Sequence, residues 1–332
     1  MATALAFAPA PGWAGAVTQS APAADVVESA AAPTVEELIA QGRAALFGAQ
    51  PSDGIALLRK AIAAGSGLAM AALGEAHQLG LGIAPNEREA ISWYRKGVAA
   101  GDAESAARLG LVLIKAGSRD KAAQQQAVKL INQSADRGNA FGQYALGVLL
   151  LDAIGGVPRD EYKALRLIEA AAQQDSAAAQ SLLGQLYRRG RIVGEHAGMA
   201  LTLLTDAARQ GDLAAQSHLG VLYRDGWGVE RDEIEAEYWL DKAAERGDLE
   251  AMGNLAKLLL DGRELRPDLA RGLDLLLRAA ARGHAPSQYQ LGLCLIDGRG
   301  VPQDAEQGLR WIRDAANGGY TEAKKYLELA QR

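Results

Sequence analysis

The stretch whose reading decides the fold is Leu219–Asp248, LGVLYRDGWGVERDEIEAEYWLDKAAERGD. It holds two glycines in DGWGV, then an acidic run, then a Trp-bearing amphipathic segment. Taken alone, DGWGV could be a loop that cradles a phosphate, with carboxylates beside it for a metal. The rest of the chain decides against that. The segments LLRKAIAAG, WYRKGVAAG, LINQSADRG, LIEAAAQQD, LLTDAARQG, WLDKAAERG, LLLRAAARG and WIRDAANGG begin at residues 57, 93, 130, 167, 203, 239, 275 and 311. The step is 36 or 37 residues throughout. A fixed period of this length marks a stacked-repeat architecture and excludes two unrelated domains after residue 34.

A second series lies between these segments, anchored on Gly74, Gly110, Gly147, Gly184, Gly220, Ala256 and Gly292. Each unit therefore holds two amphipathic segments with apolar or small residues at the helical period, helix A and helix B. Small residues recur at fixed places. Gly54, Ala90, Ala127, Ala164, Ala200, Ala236, Gly272 and Gly308 stand three before the helix B anchor. Ala61, Gly97, Ser134, Ala171, Ala207, Ala243, Ala279 and Ala315 stand four after it. A large side chain there would hold neighbouring backbones apart, so the pattern reads as a helix–helix packing code. It also accounts for the 38 glycines in a chain with only 10 prolines. The glycine that closes helix B sits where a left-handed C-cap is expected. Asp102, Asp212 and Asp248 follow such a glycine and are placed to cap the next helix.

These motifs resemble the Sel1-like repeat family, relatives of tetratricopeptide repeats. The quoted stretch carries the family's LG, Tyr, GxGV turn, Asp, Ala-x-x-Trp and KAA-x-x-G almost throughout. The resemblance covers about residues 34–332. It implies an all-α fold, a right-handed α-solenoid of about eight helix pairs, with helix A lining the concave wall. The final TEAKKYLELAQR would be a capping helix over the last pair, since stacked units need a polar end. One unit departs from the pattern: IKAGSRDKAAQQQ lacks the turn glycines, and an irregular connection is expected there.

Residues 1–33 form a separate leader of Ala, Pro, Val, Ser and Gly, with no Lys or Arg before Arg43. ATALAFAPAPGWAGA resembles the apolar core and small-residue end of a secretory signal without its basic start. The leader is read as a signal remnant or a disordered segment, and an exported, periplasmic protein is favoured over a cytoplasmic one. No apolar run reaches the length of a membrane helix. The net charge of −5 gives no support to nucleic-acid binding. The single cysteine, Cys294, excludes an internal disulfide and reads as a small buried hydrophobe.

Candidate chemistry is sparse. The glycine turn recurs as GLGIAPN, GGVPRD, GWGVERD and GRGVPQD, whereas a phosphate loop would occur once, after a strand, with Lys-Ser/Thr behind it. Asn86, Asp160, Asp232 and Asp304 beyond the turn suit N-caps of helix B. The run ERDEIEAE reads as a solvated outer face. His77, His196, His218 and His284 fall in separate units without metal-ligand spacing. Ser118–Lys121 matches Ser-x-x-Lys, but no KTG accompanies it. No catalytic, cofactor or metal residue is therefore assigned, and a hydrolase is the remote alternative.

What remains is a binding surface. With helix A as the concave wall, the groove-facing set includes Phe141, Tyr144, Gln185, Arg188, Arg189, Arg224, Lys257 and Tyr289. Aromatic and arginine side chains are good interaction anchors. Arg188, Arg189, Arg191 and Arg224 make a basic strip on a net acidic chain. Two partners fit: a protein or peptide held by the groove of a scaffold, or an acidic polymer such as an exopolysaccharide bound by the arginines. The family resemblance implies the first, in bacterial envelope signalling or exopolysaccharide export.

Overall fold

The structure, a computed structural model, describes residues 32–48, 50–116, 120–190, 194–262 and 266–330. The described residues are mainly α-helical and include no strand. Helix A of each unit is α1 (Val35–Leu46), α3 (Gly67–Leu79), α5 (Ala103–Lys115), α7 (Ala140–Asp152), α9 (Ala177–Arg189), α11 (Leu213–Asp225), α13 (Leu249–Asp261) or α15 (Ala285–Asp297). Helix B is α2 (Pro51–Ala63), α4 (Glu87–Ala99), α6 (Lys121–Asp136), α8 (Glu161–Ala172), α10 (Ala197–Arg209), α12 (Glu233–Glu245), α14 (Leu269–Ala281) or α16 (Ala305–Asn317). The last helix, α17 (Thr321–Ala330), packs on α16. Eight pairs and a terminal helix are the architecture the repeat predicts.

Each helix ends for a local reason. The glycines closing helix B, among them Gly101, Gly211 and Gly247, have φ between 73° and 92°, which an L side chain resists. Asp102, Asp212 and Asp248 then accept the backbone N–H of Ser105, Ala215 and Ala251 at 2.6–2.7 Å. In DGWGV, Gly226 and Gly228 are left-handed at φ 70° and 73°, and Asp232 caps α12 through Ile234 and Glu235. The turn is backbone geometry. Unit four departs twice: Ala153 and Asp175 hold positive φ where other units use glycine. Residues 117–119, which carry Ser118 and the aberrant turn, lie outside the described residues, as do residues 1–31.

The small positions of the packing code are buried in every unit, and the large residue that fills the space beside them is the one that follows each anchor. The anchors Trp93 and Trp311 are only half-buried. The residue after each anchor is fully buried in all eight units: Leu58, Tyr94, Ile131, Ile168, Leu204, Leu240, Leu276 and Ile312. Most of these press on the anchor glycine of their own helix A. A Cβ on Gly74 would stand 2.4 Å from the Tyr94 ring, and one on Gly220 2.6 Å from Leu240. Between units, two successive interfaces exchange the roles of glycine and serine. A Cβ on Gly97 would stand 2.0 Å from Ser105 Oγ, and one on Gly142 2.2 Å from Ser134 Oγ. Small faces small, and the two backbones close up.

In the acidic run, Glu230, Arg231 and Glu235 are exposed, as a solvated face requires, but one carboxylate departs from that reading. Glu233 is fully buried and paired with Arg231, while Ile234 stands exposed. Cys294 is a buried free thiol.

Candidate functional site: the inner wall of the solenoid

Helix A forms the inner wall. Successive A helices from α1 to α13 lie close enough to pack on one another, and successive B helices lie farther apart. A stack whose A helices sit closer than its B helices curves toward the A side. The outer gap between α12 and α14 is instead spanned by one long side chain: Arg271 donates to Glu237 at 2.7 Å and to Asp241 at 2.6 Å.

All eight predicted groove residues lie on A helices. On α7, the Phe141 and Tyr144 rings are 6.0 Å apart. Burial raises the Tyr144 hydroxyl pKa, with a smaller push from Asp212. Gln185 and Arg188 on α9 are half-buried and Arg189 is exposed, as is Lys257 on α13. Arg191 lies outside the described residues. Two residues differ from their reading as free groove anchors. Arg224 is neutralised within the chain: it donates to Asp225 at 2.7 and 3.0 Å and to Asn254 on α13 at 2.8 Å. Tyr289 is turned toward the C-terminal end, with ring centroids 5.5 Å from Tyr320 and 6.2 Å from Tyr326. The basic strip is therefore shorter than the sequence suggests.

The wall also holds a network that sequence reasoning missed. Glu104 on α5 accepts from Arg43 on α1 and from Arg108, both at 2.8 Å, and Arg108 reaches Glu75 on α3 at 3.0 Å. The Arg108 guanidinium lies 4.2 Å from the centroid of the Phe141 ring, a cation–π contact. Burial pushes the Glu104 carboxyl up, but Arg108 and Arg43 more than reverse this and hold it below the usual carboxylate range. Burial, aided by Glu75, takes the Tyr94 hydroxyl to about 12 against the pull of Arg108, and it donates to Gln78 Oε1 at 2.8 Å. Beside this network, an apolar cleft of about 470 Å³ opens between α5 and α7. Leu111, Val112, Ile114, Phe141, Val148 and Ile154 line it, with Arg108 and Lys115 at its polar edge.

No group of three or more His, Cys, Asp or Glu is placed to hold a metal among the described residues. No described helix is long and apolar enough to cross a membrane.

A curved stack of helix pairs with a mixed apolar and charged inner wall defines a helical-repeat solenoid. The chain belongs to the Sel1 repeat family: the Sel1 repeat model matches residues 67–102, 103–139, 140–176, 177–212, 213–248, 249–284 and 285–320. The first pair, α1 and α2, has the same packing without a match of its own. Among solved structures, the chain is similar to a Sel1 repeat protein from Oxalobacter formigenes. The two share 28% identity over 89% of this chain and 86% of that one, with a TM-score of 0.55. It is also similar to c5321, a protective antigen of uropathogenic Escherichia coli with the same repeat fold, at 26% identity and TM-score 0.54. That match covers 89% of this chain and 64% of the antigen. Comparison with curated proteins gives no significant match. Sel1 repeat proteins are generally scaffolds for protein–protein interaction.

Proposed function

We propose that this protein is a non-catalytic scaffold that holds a protein or peptide partner against the inner wall of its solenoid. The observation that carries the reading is the apolar cleft between α5 and α7, rimmed by Phe141. It offers an apolar anchor point within a wall of mixed chemistry, as interaction surfaces do. Phe141 is already oriented by Arg108, so little side-chain freedom is lost on binding.

The test is capture from the source cell with crosslinking, comparing the wild-type chain with Phe141→Asp and with an outer-face control, Arg313→Asp. Loss of the same captured partner with Phe141→Asp alone supports the reading. Equal capture by all three chains refutes it. The envelope setting belongs to the same proposal and rests on the apolar, small-residue composition of residues 1–33. Fractionation that finds the tagged full chain in the cytosol would reject it.

A further inference from the structure

Arg188 and Arg224 occupy the same position in consecutive A helices, four residues after the anchor glycines Gly184 and Gly220. Their surroundings are opposite. Arg224 has two acceptors: Asp225, the next residue, and Asn254, which stands two before the anchor of the following A helix. At the two corresponding places Arg188 has Arg189 and His218. Each acceptor has been replaced by a group that cannot accept in the same way. Arg189 brings a second positive charge. His218 has its Nδ1 within 2.6 Å of the Ala214 carbonyl, so that nitrogen is already engaged.

The consequences are visible around these residues. Arg188 Nε is buried and has no hydrogen-bond partner. Arg43 Nε is also buried and unpartnered, but Arg43 is paired to a carboxylate through its terminal nitrogen. No carboxylate lies within 4.0 Å of Arg188 or Arg189 among the described residues. Burial lowers the His218 pKa, and the charges of Arg188 and Arg189 lower it further, against the hydrogen bond to the Ala214 carbonyl and a smaller pull from Glu250. Both charges act on His218, and a half-buried guanidinium such as that of Arg188 disfavours the folded chain unless an anion joins it.

We propose that Arg188 and Arg189 form a carboxylate-binding subsite on the inner wall, taking an Asp or Glu side chain of an acidic peptide segment. The inference rests on the scaffold reading and names the partner's chemistry. Guanidinium groups present donors in a fork that matches a carboxylate. A peptide is favoured over a polyanion because the strip is short: Arg224 is neutralised, and the next A helix offers Lys257 rather than a continued row of arginines. The neighbouring wall on α7 is aromatic, with Phe141 and Tyr144, which suits alternating apolar and acidic residues.

The probe is a short fluorescein-labelled peptide alternating Glu with Leu and Gly, followed by fluorescence anisotropy at low salt. The chains compared are wild type, Arg188→Gln with Arg189→Gln, and an outer-face control, Arg166→Gln. Polygalacturonate serves as a competitor. Gln keeps much of the side-chain volume, so an unchanged melting temperature is expected. Loss of a charge-assisted pair should weaken peptide binding about tenfold or more in the double variant and leave the control unaffected. Absence of peptide binding to wild type, or equal affinity in the double variant, overturns the subsite. Displacement of the peptide by polygalacturonate at lower concentration than by unlabelled peptide overturns the choice of a peptide. Capture that depends on Phe141 but not on this pair would remove the subsite and leave the scaffold standing.

Discussion

At the scale of single residues, fit between helices is decided by pairs that share one small volume. Gly97 faces Ser105, and one unit later the order is reversed, with Ser134 facing Gly142. The volume is constant while the owner changes. Gly97→Ala would place a methyl group about where Ser105 Oγ now lies, and it should destabilise the chain by about 1–3 kcal/mol through overpacking. Adding Ser105→Gly puts the glycine on helix A, as in the next unit, and should recover much of that loss. Urea unfolding of the two single variants and the double variant gives the coupling directly. Additive losses would show that the two positions do not share a volume. The sequence made the small positions legible because they recur at a fixed period. It leaves open which large residue fills the space beside them: Leu57 and Leu58, or Trp93 and Tyr94, are adjacent apolar residues, and Leu58 and Tyr94 are the fully buried ones. Period alone cannot separate adjacent apolar residues. The deciding fact is which one meets the glycine on the other helix.

Between elements, charge does what small residues cannot. The four-residue network of Arg43, Glu75, Glu104 and Arg108 joins α1, α3 and α5. In one dimension these look like surface charges, and Arg43 is 61 residues from Glu104. Curvature brings them together, and curvature was not legible in the sequence. A second device was legible but passed over, because RG recurs at the end of helix B. Arg137, Arg246 and Arg282 donate to the carbonyls of Gly101, Gly211 and Gly247, each one unit earlier, at 2.7–3.0 Å. The network carries a pH signature. Glu104 is held below its ordinary pKa in the folded chain, so its contribution is present above the unfolded value of about 4.3 and is lost as pH falls through the folded value. At neutral pH, Glu104→Gln should cost about 3 kcal/mol, because Arg43 is left without a partner on a partly buried wall. As pH falls through that folded value wild type loses the same charge, and the gap between the two chains should close. Denaturant titrations at neutral pH and at successively lower pH measure it. A gap independent of pH would mean that Glu104 acts through packing alone.

For the solenoid as a whole, stability is set by neighbours. Each pair packs on the one before it and the one after it, so the chain should behave as a row of coupled units. The A helices that carry the predicted groove residues form the inner wall. Its ends were less legible: Tyr289 reads as a groove residue from its register, but Tyr320 and Tyr326 at the terminus claim it. The terminal helix is therefore part of the last unit's core. Ala323 is fully buried beside Ile312 and Ala315, with Tyr326 and Leu327 packed around them. Ending the chain at Gly319 would expose this surface at a cost of about 2 kcal/mol. In a coupled row the loss should stay local. Amide exchange should quicken in α15 and α16 while α3 to α8 keep their protection. Equal loss of protection in every unit would instead show that the eight pairs open as one body. A binding wall built on them would then be rigid from end to end, whereas a local response would let its C-terminal part adjust to a partner held by α7 and α9.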